Sequence, residues 1–426
     1  MGVIARGPEA RQTRRDFLHA AALAAVAAAL PSRAASVRSR VVIAGGGFAG
    51  AGCAMALRAL DPSIEVTLID PDDSYVTGPM SNAALVGWRS IDSITLSRAG
   101  LARAGVRVVR DRVMAIDAPA RKVALASGAE LRYDRVVVAP GIRLLWNRPQ
   151  GYDEAAAQHM PHAWLPGRQT VVLAAQLRAM DDGGVVAISV PAGLMRCPPG
   201  PYERATVIAA WLKQFKPRSK VLIFDANNHF PRQQIFEDAW KARYPDLVEW
   251  IASTDGGAVE RVDVDKSTLY TSRGARRVAV ANIIPPQAPA QLAVDAGLAS
   301  GHGWCPVVAE TFESTLAKDV HVIGDACIAG AMPKSASAAH SQAQRCAAAI
   351  VALLAGNRPA PAELDSVCYS MLARQEALAI RGRFGVDNGE IRSLPLPSPT
   401  RAPSPHEEAQ LGQRWYRQIV ADSFGN

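Results

Sequence analysis

The residues best suited to chemistry in this chain are a thiol and a carboxylate close together, Cys197 and Glu203. They lie in the stretch Met-Arg-Cys-Pro-Pro-Gly-Pro-Tyr-Glu at 195–203. This stretch follows an apolar run, Val185–Val190, of the kind that forms a buried strand. In a dinucleotide-binding domain the turn after such a strand carries glycines that approach a pyrophosphate. Proline offers no N–H to a phosphate, so we interpret this turn as a redox site in place of a nucleotide loop.

The residues around this turn predict a βαβ unit. A helix is expected over residues 202–214 and a second strand over Lys220–Asp225. Glu203, near the helix start, acts either as a base or proton acceptor or as an acid that the helix dipole favours. An NAD-binding domain keeps an acid at the position of Asp225. Without the glycine loop, we interpret Asp225 as a relic or a cap.

A glycine-rich loop near the beginning of the chain predicts a dinucleotide site. The strand Arg40–Ala44 precedes Gly-Gly-Gly-Phe-Ala-Gly, a helix is expected over residues 51–60, and the strand Glu65–Asp70 ends in an acid. Strand, loop, helix, strand and acid in this order place a pyrophosphate at the helix N-terminus and a ribose at the acid. The predicted binding residues are Gly45, Gly47, Phe48, Ala49, Gly50 and Asp70.

Three later segments complete a pattern that resembles the two-dinucleotide-domain flavoproteins of the glutathione-reductase-like fold. They are an alternating β-meander over residues 111–128, an Ala-Pro-Gly turn after a buried strand, and Gly-Asp-Ala after another strand. The resemblance implies that the first loop binds FAD. It implies that Val113 contacts the adenine and that Asp325 binds the ribityl chain. Further cofactor contacts are expected from Ala139, Pro140, Gly141, Ala326 and Lys334.

The predicted fold class is α/β, with two Rossmann-like dinucleotide-binding domains and a C-terminal α+β interface domain. The FAD-binding domain is expected over 36–150 and 300–355, and a second Rossmann-like domain without an NAD loop over 151–299. Residues 356–426 form the C-terminal domain and tail. The tail is amphipathic and aromatic, and we expect it to dock on the body of the protein. A proline-rich linker or arm precedes it.

The leading segment, residues 1–35, predicts a twin-arginine signal peptide. Arg14 and Arg15 precede an apolar stretch at 20–30, and small residues follow. The alternative is a membrane anchor, but the eleven apolar residues are too few to cross roughly 30 Å of hydrocarbon. We therefore expect export, folded, to the periplasm and no integral membrane segment in the mature chain.

The overall charge and the cysteine pattern exclude two classes of protein. The net charge is +8, but the basic residues are scattered, without a stripe or interleaved aromatics, so we expect no nucleic-acid partner. The chain contains no C-x-x-C-H and therefore carries no covalent c-type haem. Six cysteines are present, and no metal site is predicted from them.

Five motifs together resemble the flavoprotein subunit of flavocytochrome c sulfide dehydrogenase. They are C-P-P-G-P-Y-E at 197–203, W-C-P-V at 304–307, G-D-A-C at 324–327, M-P-K-S-A at 332–336 and the tail W-Y-x-x-I-x-x-D-x-F-G at 415–425. The resemblance implies that Cys197 and Cys327 form a redox disulfide which hydrosulfide attacks, with Glu203 as the possible base and Cys305 structural. It implies FAD as cofactor and a mono- or dihaem c-type cytochrome subunit as partner.

One position departs from this family. Where the family commonly has a cysteine linked covalently to the flavin, this chain reads Thr-Gly-Pro-Met-Ser-Asn, with Gly78 at that position. Glycine has no thiol, so we expect FAD without a covalent link. The predicted function is a periplasmic sulfide dehydrogenase. The alternatives are an enzyme like the sulfide:quinone oxidoreductases and a non-catalytic accessory flavoprotein of a thiosulfate-oxidising (Sox) system.

Overall fold

A five-stranded parallel sheet organises the first domain of the computed structural model, which describes residues 39–301, 303–397 and 401–425. The predicted signal peptide lies outside the described residues, as do positions 398–400 of the predicted arm. From edge to edge the strands are Val320–Val322, Arg135–Val138, Arg40–Ala44, Glu65–Asp70 and Arg107–Arg110. Helices Phe48–Leu60 and Ala336–Leu354 pack against each other here. An antiparallel meander consists of Val113–Asp117, Lys122–Leu125 and Glu130–Arg132.

A second parallel sheet confirms the predicted βαβ unit. Its four strands are, in order, Val248–Ile251, Lys220–Asp225, Val185–Val190 and Val280–Ile283. The helices of this region are Arg168–Ala179, Gly200–Phe215 and Gln233–Arg243, and an antiparallel sheet of Val259–Asp263, Thr268–Thr271 and Gly274–Arg277 lies beside them in sequence. The α/β fold class with two Rossmann-like domains is therefore confirmed.

Asp225 has a structural role in this second domain. Its carboxylate is fully buried and accepts hydrogen bonds from Tyr202 Oη at 2.6 Å and Trp250 Nε1 at 2.9 Å. It also accepts from the backbone N–H of Asn227 at 3.0 Å. Buried carboxylates persist when such donors replace water. Asp225 therefore ties strand, helix and neighbouring strand together and offers its oxygens to the protein itself.

An antiparallel sheet and a long helix form the C-terminal part. The strands are Leu364–Ala373, Glu376–Asp387 and Glu390–Leu394, and the helix is Pro405–Phe424. Ser404 and Glu407 form a reciprocal capping box at the helix start. Phe424 is fully buried, with its ring 5.5 Å from that of Phe48. The expectation that the tail docks on the body is confirmed.

Shorter elements connect these layers. The paired strands are Ser74–Val76 with Thr95–Ser97, Ile142–Leu144 with Gln287–Pro289, and Cys305–Pro306 with Cys327–Ile328. The short helices are Ser81–Leu85, Ala99–Arg103 and Gln291–Asp295, with 3-10 turns at Asp92–Ile94, Ala156–Gln158, Ser253–Asp255 and Gly324–Ala326. Within the described part of the chain, no helix has the length and apolarity needed to cross a membrane.

Candidate functional site: a cavity with two thiols and a carboxylate

A cavity of about 790 Å³ lies where the first domain, the 195–204 turn and the C-terminal part meet. Most of the residues predicted for cofactor and chemistry line it. They are Gly45, Gly47, Phe48, Ala49, Asp70, Ala139, Pro140, Gly141, Cys197, Glu203 and Asp325. Gly78 and Arg204 line it too. The structure thus brings segments that are distant in sequence to one cavity, which is the first requirement for a binding site.

The glycine loop has the geometry of a phosphate cradle. Gly45 adopts φ +104°, and a Cβ at this position would lie 2.3 Å from the carbonyl oxygen of Ala139. A Cβ at Gly50 would lie 1.9 Å from the carbonyl oxygen of Gly45, so Gly50 lets the helix pack directly on the loop. Gly47 caps the helix without a side-chain partner, and the first turn has no acid. The helix N-terminus therefore presents free N–H groups suited to an anion.

Asp70 and Arg98 form a buried ion pair at the same end of the cavity. Arg98 Nη2 lies 2.7 Å from Asp70 Oδ1, with the two side chains only 5% and 13% exposed. Asp70 Oδ2 accepts from the backbone N–H of Gly46 at 2.6 Å. The strand-end acid was predicted from sequence, whereas its arginine partner was not. Arg98 carries no motif of its own and reaches the site only through the packing of the Thr95–Ser97 strand.

Four predicted cofactor residues do not line the large cavity. Val113 and Ala326 are buried in the hydrophobic core of the first domain, and Gly50 supports the loop from behind. Lys334 lines a smaller neighbouring cavity of about 280 Å³. Its Nζ donates to the carbonyl oxygens of Asp325 at 2.9 Å and Cys327 at 2.7 Å, and lies 3.7 Å from the Trp304 ring centroid. The amine of Lys334 therefore holds a backbone turn in place.

Cys197 adopts a backbone conformation that is unusual for a residue with a side chain. Its φ is +53°, in the left-handed region. Two hydrogen bonds hold it there: its N–H donates to the carbonyl oxygen of Lys334 at 2.7 Å, and its carbonyl accepts from Gly200 N–H at 2.8 Å. Burial raises the pKa of its thiol, and the neighbouring Cys368 and Glu203 raise it further. Outliers of this kind concentrate at functional sites.

Cys368 is a candidate site residue that the sequence does not predict. It lies on the strand Leu364–Ala373 and lines the large cavity together with Cys197. Burial raises the pKa of Cys368 to about 11, and Glu203 raises it as well, whereas a hydrogen bond with Ser335 lowers it. No sequence motif includes this residue, and the only signal for it in the sequence is its residue type, cysteine. Cys197 and Cys368 are thus the two thiols of this cavity wall.

Cys327 has different surroundings from those predicted. Its thiol is 2% exposed, lines the smaller cavity and donates to the carbonyl oxygen of Gly324 at 3.3 Å. Its backbone pairs with that of Cys305 in a short parallel ladder, and burial raises the pKa of Cys327 to about 12. All six cysteines are free thiols in this structure. The geometry thus groups Cys327 with Cys305 and leaves its predicted pairing with Cys197 unsupported.

Glu203 is a carboxylate poised for proton transfer near neutral pH. Burial raises its pKa to about 7, against the lowering effects of the Met371 N–H, Asn82 and Arg204. Its Oε1 accepts from the N–H of Met371 at 3.3 Å. Burial of a carboxylate next to thiols is one arrangement that tunes an acid to work as a base at neutral pH. The raised pKa and the position in the cavity wall favour a base over an acid that only the helix dipole favours, and the role of Glu203 stays a prediction.

Arg204 adds a buried cation to this side of the cavity. It donates from Nε to Asn82 Oδ1 at 3.0 Å and from Nη1 to Asn282 Oδ1 at 2.9 Å. Its other contacts are the carbonyl oxygens of His162 and Ala163. All of these partners are neutral acceptors, and the guanidinium lies 5.1 Å from the centroid of the Trp164 ring. A positive charge is therefore fixed close to the thiols and Glu203.

The chemistry of the cavity wall fits a dinucleotide cofactor such as FAD. Two buried donors of the wall, Arg98 Nε and Trp164 Nε1, have no hydrogen-bond partner among the described residues. Unpaired buried donors are uncommon in native proteins and indicate a ligand or water that pairs them. The glycine loop provides the pyrophosphate end, and Asp325 lies near the thiols. No group of acids, histidines or cysteines able to hold a metal ion was found in the described part of the chain.

Fold and site together define a flavoprotein oxidoreductase with two dinucleotide-type domains. Residues 39–161 match the family model of pyridine nucleotide-disulphide oxidoreductases. Residues 170–285 match the model for the central part of the sulfide dehydrogenase [flavocytochrome c] flavoprotein chain, and residues 360–424 the flavin-binding model of flavocytochrome c sulphide dehydrogenase. A 44-residue segment is 61% identical to the sulfide dehydrogenase [flavocytochrome c] flavoprotein chain of Chlorobaculum thiosulfatiphilum, covering 92% of that sequence and 10% of this chain. The chain belongs to this flavoprotein family.

More distant relatives share the fold. The sulfide-quinone reductase of Aquifex aeolicus is 27% identical over 240 residues, so the match spans about half of each chain, 53% of both. The crystal structure of the sulfide:quinone oxidoreductase from Aquifex aeolicus superposes with a TM-score of 0.73 at 18% identity, covering 91% of this chain and 92% of that one. The putidaredoxin reductase–putidaredoxin complex gives a TM-score of 0.63 at 20% identity, covering 81% of each.

Proposed function

We propose that this chain is an FAD-dependent dehydrogenase that oxidises sulfide and passes the electrons to a c-type cytochrome subunit in the periplasm. The observation that carries the proposal is the grouping of Cys197, Cys368 and Glu203 in the wall of a cavity built for a dinucleotide. Two thiols and a base are what two-electron chemistry on hydrosulfide requires. The C-P-P-G-P-Y-E motif and the matching family models support sulfide as the substrate.

The chemistry assigned to the chain begins from a Cys197–Cys368 disulfide, with Cys368 replacing the Cys327 expected from sequence. Hydrosulfide attacks one sulfur, the S–S bond breaks, and a persulfide forms on one cysteine while the other leaves as a thiolate. Glu203, with its pKa raised to about 7, takes up the proton of the incoming SH group. The fixed cation of Arg204 favours the anionic sulfur. FAD, when bound, supplies the acceptor for the two electrons.

The residues proposed to hold FAD act at three points. Gly45 and Gly47 would let the backbone approach the pyrophosphate closely, although the N–H of Gly45 itself donates to the carbonyl oxygen of Ile69 at 2.9 Å. Asp70 would face the ribose. The Ala139–Gly141 turn and Asp325, which line the cavity, would contact the middle of the cofactor. Gly78 provides no thiol, so the proposed attachment is non-covalent.

An anaerobic sulfide titration tests the proposal. Micromolar sulfide should bleach the flavin absorbance of the purified protein, and the reduced protein should then reduce added cytochrome c. Cys197→Ser should abolish the sulfide-dependent bleaching while dithionite still reduces the flavin. If micromolar sulfide leaves the flavin oxidised, the dehydrogenase proposal fails. Persistence of the reaction in Cys197→Ser excludes the thiol mechanism.

Two other functions remain separable by experiment. A quinone-linked enzyme would reduce a soluble quinone analogue faster than cytochrome c, and the fold shared with sulfide:quinone oxidoreductase motivates that comparison. A non-catalytic accessory flavoprotein of a Sox system would bind FAD yet fail to turn over sulfide.

Export is tested by replacing Arg14 and Arg15 with lysine, after which the protein should remain in the cytoplasm.

A further inference from the structure

Arg98 occupies a position that the glycine-loop motif does not account for. It follows the strand Thr95–Ser97, and its side chain packs directly on the loop. A Cβ at Gly46 would lie 2.7 Å from Arg98 Nε and 2.9 Å from Nη2. The guanidinium is 5% exposed and contributes to the wall of the large cavity. Arg98 therefore lies between the loop and the strand-end acid.

The guanidinium has protein partners on one side only. Nη2 pairs with Asp70 Oδ1 at 2.7 Å, and Nη1 donates to the carbonyl oxygen of Asp72. Nε has no hydrogen-bond partner among the described residues, although it is buried. An arginine held in place by two contacts, with a third donor left unpaired beside a cavity, is arranged to bind an oxygen of a ligand.

The charges at this end of the cavity favour an anionic ligand group. The pairing with Arg98 offsets the negative charge of Asp70, whose other oxygen accepts from Gly46 N–H. Asp73 is paired with Arg110, with Arg110 Nη1 and Asp73 Oδ2 2.7 Å apart. A carboxylate without these partners would repel a phosphate, whereas the paired arrangement leaves one charge-assisted donor available.

We propose that Arg98 binds the adenosine-monophosphate half of the dinucleotide, with Nε–H donating to a ribose or phosphate oxygen. Asp70, fixed by the same guanidinium, then accepts from a ribose hydroxyl. This inference rests on the proposed cofactor site. It assigns the affinity for the adenosine end to a residue outside the glycine motif.

Binding of FAD and FMN to the apoprotein of the full chain tests the assignment, because FMN lacks the adenosine half. Arg98→Gln should raise the Kd of FAD roughly 10- to 100-fold, the loss expected for a charge-assisted hydrogen bond. The Kd of FMN should stay within about 2-fold of that of the parent chain. ADP, which carries the adenosine end alone, should compete with FAD less effectively in the variant.

Arg107→Gln is the matched control. Its side chain is exposed on the strand Arg107–Arg110, away from the lining of the cavity, so its loss should leave the Kd of FAD nearly unchanged. An unchanged Kd for FAD in Arg98→Gln, or an equal loss for FAD and FMN, would overturn the assignment. If Arg98→Gln fails to fold by circular dichroism, Arg98→Lys tests the same prediction, because it keeps the charge and loses the Nε–H. A parent apoprotein that binds no FAD refutes the cofactor site itself.

Discussion

At the scale of single residues, the thiols of this protein divide into two groups with different surroundings. Cys197 and Cys368 line the large cavity, and Cys197 is held at positive φ by hydrogen bonds on both sides. Cys327 and Cys305 pair through their backbones beside the smaller cavity. Since thiol–disulfide exchange needs access to the attacking nucleophile, the first group is the one placed for substrate chemistry.

Separate substitutions of Cys368 and Cys327 show which of the two forms the disulfide with Cys197. Cys368→Ser should lower the rate of flavin reduction by sulfide at least 100-fold, because it removes one sulfur of the disulfide. Cys327→Ser should keep this rate within about 3-fold, because its thiol donates to the carbonyl oxygen of Gly324 and to Gln342 Oε1, and a serine hydroxyl can donate to the same oxygens. Stopped-flow absorbance under anaerobic conditions measures both rates. The reverse order of effects would restore the pairing of Cys197 with Cys327.

The raised pKa of Glu203 predicts a pH-dependent change in stability for Glu203→Gln. The carboxyl has a pKa of about 7 in the folded protein, against an ordinary value of 4.5, so the folded state holds the proton more tightly. The stability contributed by the protonated acid is complete below pH 4.5 and is lost as the pH rises through 7. Glu203→Gln mimics the neutral acid. Its Tm should therefore equal that of the parent at pH 4 and exceed it at pH 8.5.

Thermal unfolding of parent and variant across this pH range measures the difference. Glu260→Gln, at an exposed glutamate on the strand Val259–Asp263, serves as the control and should show no such trend. A constant difference in Tm between pH 4 and pH 8.5 contradicts the raised pKa and with it the proposed base. This measurement needs no sulfide, so the titration of the substrate does not affect it.

Local sequence patterns predict part of the site, whereas contacts that depend on tertiary packing cannot be predicted from them. Gly45, Gly47 and Asp70 follow from one continuous strand–loop–helix–strand pattern, and all three line the cavity. Cys368 could not be found in this way, because its strand reaches the cavity only through the antiparallel sheet and the tail helix. The M-P-K-S-A motif predicts a cofactor contact for Lys334, whereas in the structure its amine donates to the backbone carbonyl oxygens of Asp325 and Cys327.

At the scale of secondary-structure elements, the C-terminal helix connects the tail to the glycine loop. Phe424, at its end, lies 5.5 Å from Phe48 in an edge-to-face contact and stacks on Tyr75 at 5.6 Å between ring centroids. Phe48 is the first residue of the helix that follows the glycine loop, and Tyr75 lines the cavity. The last helix turn therefore supports the wall of the cofactor cavity from outside.

Truncating the side chain of Phe424 tests whether the last helix turn supports the cavity wall. Phe424→Ala should destabilise the protein by about 3–5 kcal/mol, the usual effect of removing a fully buried phenyl ring. It should also speed the release of flavin, because Phe48 and Tyr75 lose a packing partner. Phe215→Ala, at a side chain 56% exposed, is the control and should change the stability by about 0.5 kcal/mol or less. Urea unfolding and the fluorescence of released flavin measure the two effects.

At the scale of the whole molecule, the cavity depends on all three parts of the fold. The first domain contributes the glycine loop, the second contributes Cys197 and Glu203 before and within its helix, and the C-terminal strand contributes Cys368. A cofactor enclosed from three sides can be retained by packing and hydrogen bonds alone, since the surfaces that hold it are fixed by separate cores. Such a site can keep its flavin without a covalent bond.

The parent protein and a substitution at Gly78 together test whether the flavin is held without a covalent bond. The resemblance to the family implies a flavin-linking cysteine here, and a Cβ at Gly78 would meet nothing within 4 Å, so the cavity wall has room for a thiol. Acid precipitation of the parent protein should leave the yellow flavin in the supernatant. Gly78→Cys should retain flavin on the precipitated polypeptide. Ser81→Cys, with its thiol on the same wall, should release flavin as the parent does. Flavin that stays with the precipitated parent chain would show a covalent link formed through another residue.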